Sequence, residues 1–481
     1  MKLLRAAALL AACALSWTSL AAPPVAVTSG LPEAVQKIMT RYKIPAASVS
    51  ILVQAVDEDS ARLALNIDIP RNPASTVKVV TTWTALDLFG PTYTWPTRVY
   101  TTGPVKDGVL HGDLVIKGQG DPYLVLEDFW NLVGEIRRAG IRDIDGDLLV
   151  DDSEFKVEED DPAAFDGQGD KLYNVLPNAL MVNFKSIDFA FDADAPNGKV
   201  TITTRPELPN LKITNHIKLT TGACRGNTLS VYMRAADPIA TEQLEFGGEM
   251  PASCHHFQLS RSVMAPAAYT YGVFRMMWQH WGGTLKGNYR NAPKPPNANQ
   301  VVVWQSRQLS DIIRPLNKWS NNLMARMLLF AIGARDAPPP VTREQGEAAL
   351  LKHLKSRGLD PSGVIIDNGS GLSRTTRVTA RFMVALLKLA WHQPTMPEFM
   401  SSLSIVGVDG TTRKRFRGAP ERGHMHLKTG SLQNVSAVTG YVHAQNGKIY
   451  AVNVMTNYAN ANYGVGIELQ NAVLSWTFRQ P

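Results

Sequence analysis

The chain has 481 residues, 44% hydrophobic and 19% charged, enough to bury a large core and too long for one ordinary domain, so two or three domains are expected. The formal charge of +7 favours anionic partners such as cell-wall polymers or an acidic membrane surface, which leaves peripheral membrane association open and the oligomeric state undetermined. No clustered basic stripe is present, which argues against nucleic acid; Arg413-Lys-Arg-Phe-Arg417 reads as a solvated loop.

In chain order, Met1, Lys2 and Arg5 precede an almost uncharged apolar run to Leu20 and the small residues Ala21 and Ala22. That is the layout of a secretory signal peptide over residues 1–21, and it places the mature chain in the periplasm. A lipoprotein signal ending before Cys13 is the rival reading, but the apolar run continues past that cysteine. No later segment is long and apolar enough to span a bilayer. Pro32 to Tyr42 has helical spacing, Ala47 to Val56 alternates as a strand does, and Ala61 to Ile69 reads as its hairpin partner.

The interval from Tyr93 to Ser260 is rich in short β-like runs, among them Leu114–Lys117, Gly146–Val150, Lys199–Thr203 and Thr228–Tyr232, and reads as inserted β-rich material. Removing Cys13 with the signal leaves Cys224 and Cys254. In an exported chain a disulfide is the natural reading, with two unpaired buried thiols as the alternative. Cys254-His255-His256 lacks further ligands at zinc spacing. Beyond the insertion, Thr342 to Leu354 forms a helix opening on the capping box Thr342-Arg-Glu-Gln345, and another runs from Thr379 to Trp391. Leu427–Ser431, Val435–Ala444 and Lys448–Thr456 read as strands, the last two joined by Gln445-Asn446-Gly447, and Ile467 to Phe478 as a closing helix. Strands from both ends of the chain therefore share one sheet.

Three short segments carry chemistry. Ser75-Thr-Val-Lys78 opens an apolar helix that Gly90-Pro91 ends, and a spacing of three puts the Lys78 amine over the Ser75 hydroxyl. A serine nucleophile needs a neighbouring base, and a lysine whose pKa is lowered by burial or another cation can be one. Ser153-Glu-Phe-Lys156 has the same spacing but runs into Glu158-Glu-Asp-Asp-Pro162, which cannot continue a buried helix. Ser320-Asn321-Asn322 precedes a second apolar helix, where Ser320 reads as an N-cap or as a proton-relaying hydroxyl, and Asn322 projects from the first turn. Lys428-Thr429-Gly430 lies on a strand before Ser431, where Lys428 and Thr429 can bind a carboxylate and Gly430 permits close backbone approach.

Ser-x-x-Lys, Ser-x-Asn and Lys-Thr-Gly in this order resemble the penicillin-binding and β-lactamase set. Asp367-Asn-Gly-Ser-Gly-Leu-Ser-Arg374, Val408-Asp-Gly-Thr411 and Lys117-Gly-Gln-Gly-Asp-Pro122, which alone would read as turns, resemble the D-alanyl-D-alanine carboxypeptidase/endopeptidase family, the low-molecular-mass class C penicillin-binding proteins. The resemblance implies an α/β, β-lactamase-like penicillin-recognising domain over residues 22–92 and 261–481, with an antiparallel sheet flanked by helices. It implies an inserted domain over 93–184 and 246–260, and a third over 185–245. It implies that Ser75 attacks a D-Ala carbonyl after Lys78 takes its proton, with the Ser75 and Ser431 N–H groups as the oxyanion hole. Ser320 and Lys428 would pass a proton to the leaving amine, Asn322 would orient the acyl amide, and Thr429 with Lys428 would hold the carboxylate. The expected partners are peptidoglycan peptides and β-lactam inhibitors, and no cofactor or metal is called for. Two alternatives stand beside this reading: a serine β-lactamase, for which a Glu-x-x-x-Asn-type loop is missing, and a non-catalytic cell-wall binding protein on the same fold.

Overall fold

A computed structural model describes residues 30–158, 161–226 and 229–481. The expected signal peptide and Cys13 lie outside the described residues. The central sheet has six antiparallel strands in the order Ser404–Ile405, Met425–Leu432, Val435–His443, Ile449–Asn457, Val49–Ala55, Ala61–Leu65. Its middle strands are buried on both faces, and their period of two sorts side chains between two cores. Val452 and Val454 face one core with the terminal helices Glu33–Arg41 and Val465–Phe478. Ala451 and Met455 face the other, built on helices Lys78–Phe89, Leu309–Trp319, Asn322–Ala334 and Ala380–Trp391. The two ends of the chain thus meet in one sheet, with Val49–Ala55 in full register against Ile449–Asn457.

The helix after Thr342 begins with the expected capping box, both reciprocal hydrogen bonds being present. The expected strand over Thr228–Tyr232 differs: residues 227–228 lie outside the described residues, and the strand spans Tyr232–Arg234.

The insertion is β-rich, and its packing reaches further along the chain than residue 260. Strand Asn299–Gln305 pairs with Pro96–Thr101 in a five-stranded sheet, and helix Pro266–His280 supplies Tyr269, Phe274 and Trp278 to the same core as Phe129, Ile144 and Phe246. The boundary expected at 261 therefore falls inside a packed unit, because these residues bury their apolar faces on the insertion. The boundary expected at 246 likewise cuts strand Gln243–Pro251, which pairs in parallel with Lys212–Thr220. Two three-stranded sheets span residues 187 to 261, and Cys224 and Cys254 are joined there by a disulfide, with Cα atoms 4.8 Å apart.

The insertion also rests on the site. Phe155, Val175, Ala179 and Met181 pack against Leu323, Met327 and Phe330 of the helix that begins at Asn322. The Phe155 and Phe330 rings stack with centroids 4.8 Å apart.

Candidate active site

Every residue from Arg71 to Leu86 is buried except Ser75, which is half-exposed. A 3₁₀ turn, Ala74–Val77, runs into helix Lys78–Phe89, and this turn places residues 75 and 78 on one face. Lys78 Nζ lies 2.9 Å from Ser75 Oγ, 2.7 Å from Asn322 Oδ1 and 2.5 Å from the Ser370 carbonyl oxygen. Burial lowers the Lys78 pKa well below the ordinary lysine range, and the charges of Lys428 and Arg326 lower it further. An amine with three oxygen neighbours and no carboxylate partner among these contacts is held in place without being held protonated.

Ser320 does not cap the second helix as the simpler reading had it. It ends helix Leu309–Trp319 in the left-handed conformation, φ +59°, and the side chain of Asn321 caps the next helix by accepting from the Met324 N–H at 3.0 Å. Freed from capping, the Ser320 hydroxyl faces the third motif: Lys428 Nζ lies 2.8 Å from its oxygen. A non-glycine residue in this conformation costs energy and persists because its surroundings hold it. Two of those holds are visible. Asn321 N–H donates to the Leu316 carbonyl at 3.0 Å, and Lys318 Nζ reaches Asp409 Oδ2 at 2.5 Å and the Leu403 carbonyl at 3.0 Å. Asp409 is the acid of Val408-Asp-Gly-Thr411, so that segment anchors the turn carrying Ser320.

Lys428 is buried on strand Met425–Leu432, and burial pushes its pKa down to about 7. Thr429 is half-exposed with Oγ1 2.8 Å from Thr411 Oγ1, and Ser431 is exposed at the strand edge. Between them Gly430 runs against the nucleophile's turn: a Cβ there would lie 2.5 Å from the Pro73 carbonyl oxygen and 3.0 Å from the Ser75 nitrogen. The structure thus brings Ser75, Lys78, Asn322, Ser320, Lys428, Thr429, Gly430 and Ser431 into one cluster. Ser153 is elsewhere: its hydroxyl donates to Asp151 Oδ1 at 2.6 Å, and Lys156 pairs with Glu158 at 3.7 Å.

Motif reading did not single out several supporting groups. The Ser370 carbonyl that binds Lys78 belongs to Asp367–Arg374, whose turn is fixed by Asn368: its Oδ1 accepts from Ser370 N–H at 3.0 Å and from Ser370 Oγ at 2.8 Å. Gly371 in this loop has φ +76°, and a Cβ there would lie 2.0 Å from the Ala74 carbonyl oxygen. Only a glycine permits that approach. The glycine-rich composition was the available signal, but a backbone acceptor carries no residue identity. Arg326, buried one turn after Asn322, and the Tyr173 carbonyl, which accepts from Asn322 Nδ2 at 3.0 Å, had no sequence signal.

The chain is similar to known proteins over most of its length. Residues 31–478 match the D-Ala-D-Ala carboxypeptidase 3 (S13) family. The chain is 30% identical over 388 residues to a D-alanyl-D-alanine carboxypeptidase of Actinomadura, covering 76% of this chain and 70% of that one. It is 24% identical over 369 residues to the D-alanyl-D-alanine carboxypeptidase DacB of Haemophilus influenzae, 76% of each. The fold is similar to the crystal structure of penicillin binding protein 4 from H. influenzae, with TM-score 0.78 at 22% identity over 93% of this chain and 99% of that one. A predatory endopeptidase from Bdellovibrio bacteriovorus is more distant, with TM-score 0.51 at 18% identity over 89% and 92%. With its three motifs gathered in one cluster of a penicillin-recognising fold, the chain belongs to the D-Ala-D-Ala carboxypeptidase 3 (S13) family of serine peptidases.

Proposed function

We propose that Ser75 and Lys78 are the nucleophile and base of a D-Ala-D-Ala peptidase that acts on peptidoglycan stem peptides in the periplasm and that β-lactams acylate. The observation that carries this reading is the 2.9 Å contact between Lys78 Nζ and Ser75 Oγ, made by an amine whose pKa is lowered by burial and by the charges of Lys428 and Arg326. Lys78 takes the Ser75 proton as Oγ bonds to the D-Ala carbonyl carbon. The Ser75 and Ser431 N–H groups receive the developing oxyanion, and the closeness of Gly430 to the Ser75 nitrogen supports that pairing. Ser320, in contact with Lys428, hands a proton to the departing amine, and Asn322 orients the acyl amide. Thr429 and Lys428 bind the terminal carboxylate, and water then releases the acyl-enzyme. The two β-rich units are, on this reading, inserted domains that place Tyr173 beside Asn322.

The H. influenzae relative of this fold is known in complex with a β-lactam, which supports the inhibitor class. The test is to incubate the protein with a pentapeptide ending in D-Ala-D-Ala and with fluorescent penicillin. Release of D-Ala, blocked by prior labelling, is expected. Labelling with turnover of penicillin but no D-Ala release would favour the β-lactamase alternative, and neither labelling nor D-Ala release would favour a non-catalytic binding protein.

A further inference from the structure

The two helices that begin at the site, Lys78–Phe89 and Asn322–Ala334, both end at a second groove, about 18–20 Å from where they start at 1.5 Å per residue. Its volume is about 510 Å³, within the roughly 300–1,000 Å³ of small-ligand sites. Phe89, Tyr93 and Trp95, on the segment that leads from the first helix into the insertion, form one wall. Gln119 and Glu154 come from the insertion, and Arg335 follows the second helix. The aromatic wall is rigid. The Phe89 and Tyr93 rings stack with centroids 4.6 Å apart, and the Tyr93 and Trp95 rings meet edge to face at 4.8 Å. Trp95 is buried, whereas Tyr93 keeps 36% of its surface exposed, so one fixed ring is left to a ligand.

The polar groups around these rings have spare hydrogen-bonding capacity. Gln119, from the Lys117–Pro122 segment that the Ser75 chemistry leaves unused, accepts from Arg98 Nε at 2.8 Å through Oε1, and its Nε2 has no protein partner among the described residues. The Glu154 carboxylate is partly buried and accepts no hydrogen bond among the described residues; its nearest cation is Lys117, 3.9 Å away. Arg335 Nη1 donates to the Leu88 carbonyl at 3.0 Å, and its guanidinium pairs with no carboxylate among the described residues.

That lining selects among ligand classes. The groove holds one cation and one carboxylate, a poor match for a phosphate or a polyanion. Strand Pro96–Thr101 is paired on both sides, so no sheet edge is open to an extended peptide. A pyranose ring fits. Its C–H face packs on an aromatic ring, its hydroxyl and acetamido N–H groups donate to a carboxylate, and its oxygens accept from an amide or a guanidinium. Leu88 and Arg335 also border a smaller hollow lined by Lys352 and Ser356, which gives room to a chain of rings.

We propose that this groove binds an N-acetylhexosamine glycan strand, with Tyr93 as the stacking platform and Glu154, Gln119 and Arg335 as its hydrogen-bonding groups; the choice of an N-acetylated sugar rests on the peptidoglycan reading above. Stem peptides hang from such strands, so a strand held about 20 Å from Ser75 raises the local concentration of peptide ends at the site. The groove takes no part in the Ser75 chemistry, and a soluble peptide gains nothing from it.

The experiment titrates glycan strands stripped of their peptides into the protein by calorimetry, before and after penicillin acylation, with a soluble pentapeptide as competitor. The strands are expected to bind equally in both states and to resist the pentapeptide. Tyr93→Ala is expected to weaken binding about tenfold and Glu154→Gln about threefold or more, while acylation in each stays within about twofold of wild type. Tyr93→Phe, which keeps the ring, stays within about threefold in binding. If a thermal melt shows Tyr93→Ala unfolded, Glu154→Gln decides. A wild-type protein that binds no strands, or variants that bind as tightly as wild type, overturn the groove. Binding lost on acylation or displaced by the pentapeptide overturns it too, since the strands would then occupy the Ser75 site. Strand binding without any penicillin acylation would instead overturn the Ser75 reading and leave the groove standing.

Discussion

At the scale of single residues, Lys78 is a lysine whose pKa lies well below the ordinary lysine range. Lys78 loses its proton readily because it is buried beside Lys428 and Arg326. Arginine at this position keeps the positive charge but stays protonated in proteins, so Lys78→Arg is expected to fold and to acylate at least 10²–10⁴-fold more slowly, the usual worth of a general base. A chromogenic β-lactam and a thermal melt read the two properties separately. The pH profile follows from the same shifts. As pH falls Lys78 becomes protonated and the base is lost, giving an acid limb below the ordinary lysine range. As pH rises through about 7 Lys428 loses its charge and its hold on a substrate carboxylate weakens, giving an alkaline limb. The acylation rate is thus expected to be bell-shaped with both limbs below the usual lysine pKa of about 10.4. A rate rising steadily to pH 10 would show that Lys428 acts without its charge.

At the scale of elements, the nucleophile's turn is fixed by two backbones pressed against it. Adding one carbon at Gly430 brings it to 2.5 Å from the Pro73 carbonyl oxygen, so the strand or the turn must move. Gly430→Ala is expected to slow acylation by about 10²-fold, since a displacement of about 1 Å at a reacting group has that effect, with little change in the fold monitored by circular dichroism. The elements themselves were legible: the helix after Ser75, the strand of Lys428 and the hairpin around Asn446 and Gly447 follow from periodicity and turn residues. The Ser320 conformation was not, because Asn321 is an equally good capping residue and the choice is settled by Lys318, Leu403 and Asp409 from distant sequence. The Ser370 carbonyl was invisible for a different reason, since every residue supplies one.

For the whole molecule, the sequence showed that a β-rich insertion exists but not where it ends. Helix Pro266–His280 is buried along most of its length, and nothing in its composition says which of two cores it joins. The disulfide lies in that unit, apart from the packing around Ser75. A bridge across a separation of 30 residues contributes roughly 3–4 kcal/mol in the loop-entropy model. The Cys224→Ser/Cys254→Ser variant is therefore expected to lose insertion stability in hydrogen exchange while still binding penicillin. Thiol counting under denaturing, non-reducing conditions should find none in the mature wild-type chain, and two would remove the bridge from the account.

The most direct measurement for the central claim is peptide mapping of the penicillin-labelled protein by mass spectrometry. One adduct per chain is expected, on Ser75, and it should vanish in Ser75→Ala while Ser153→Ala labels normally. An adduct on Ser153, or no adduct on the folded wild-type chain, would contradict the assignment of Ser75 as the nucleophile.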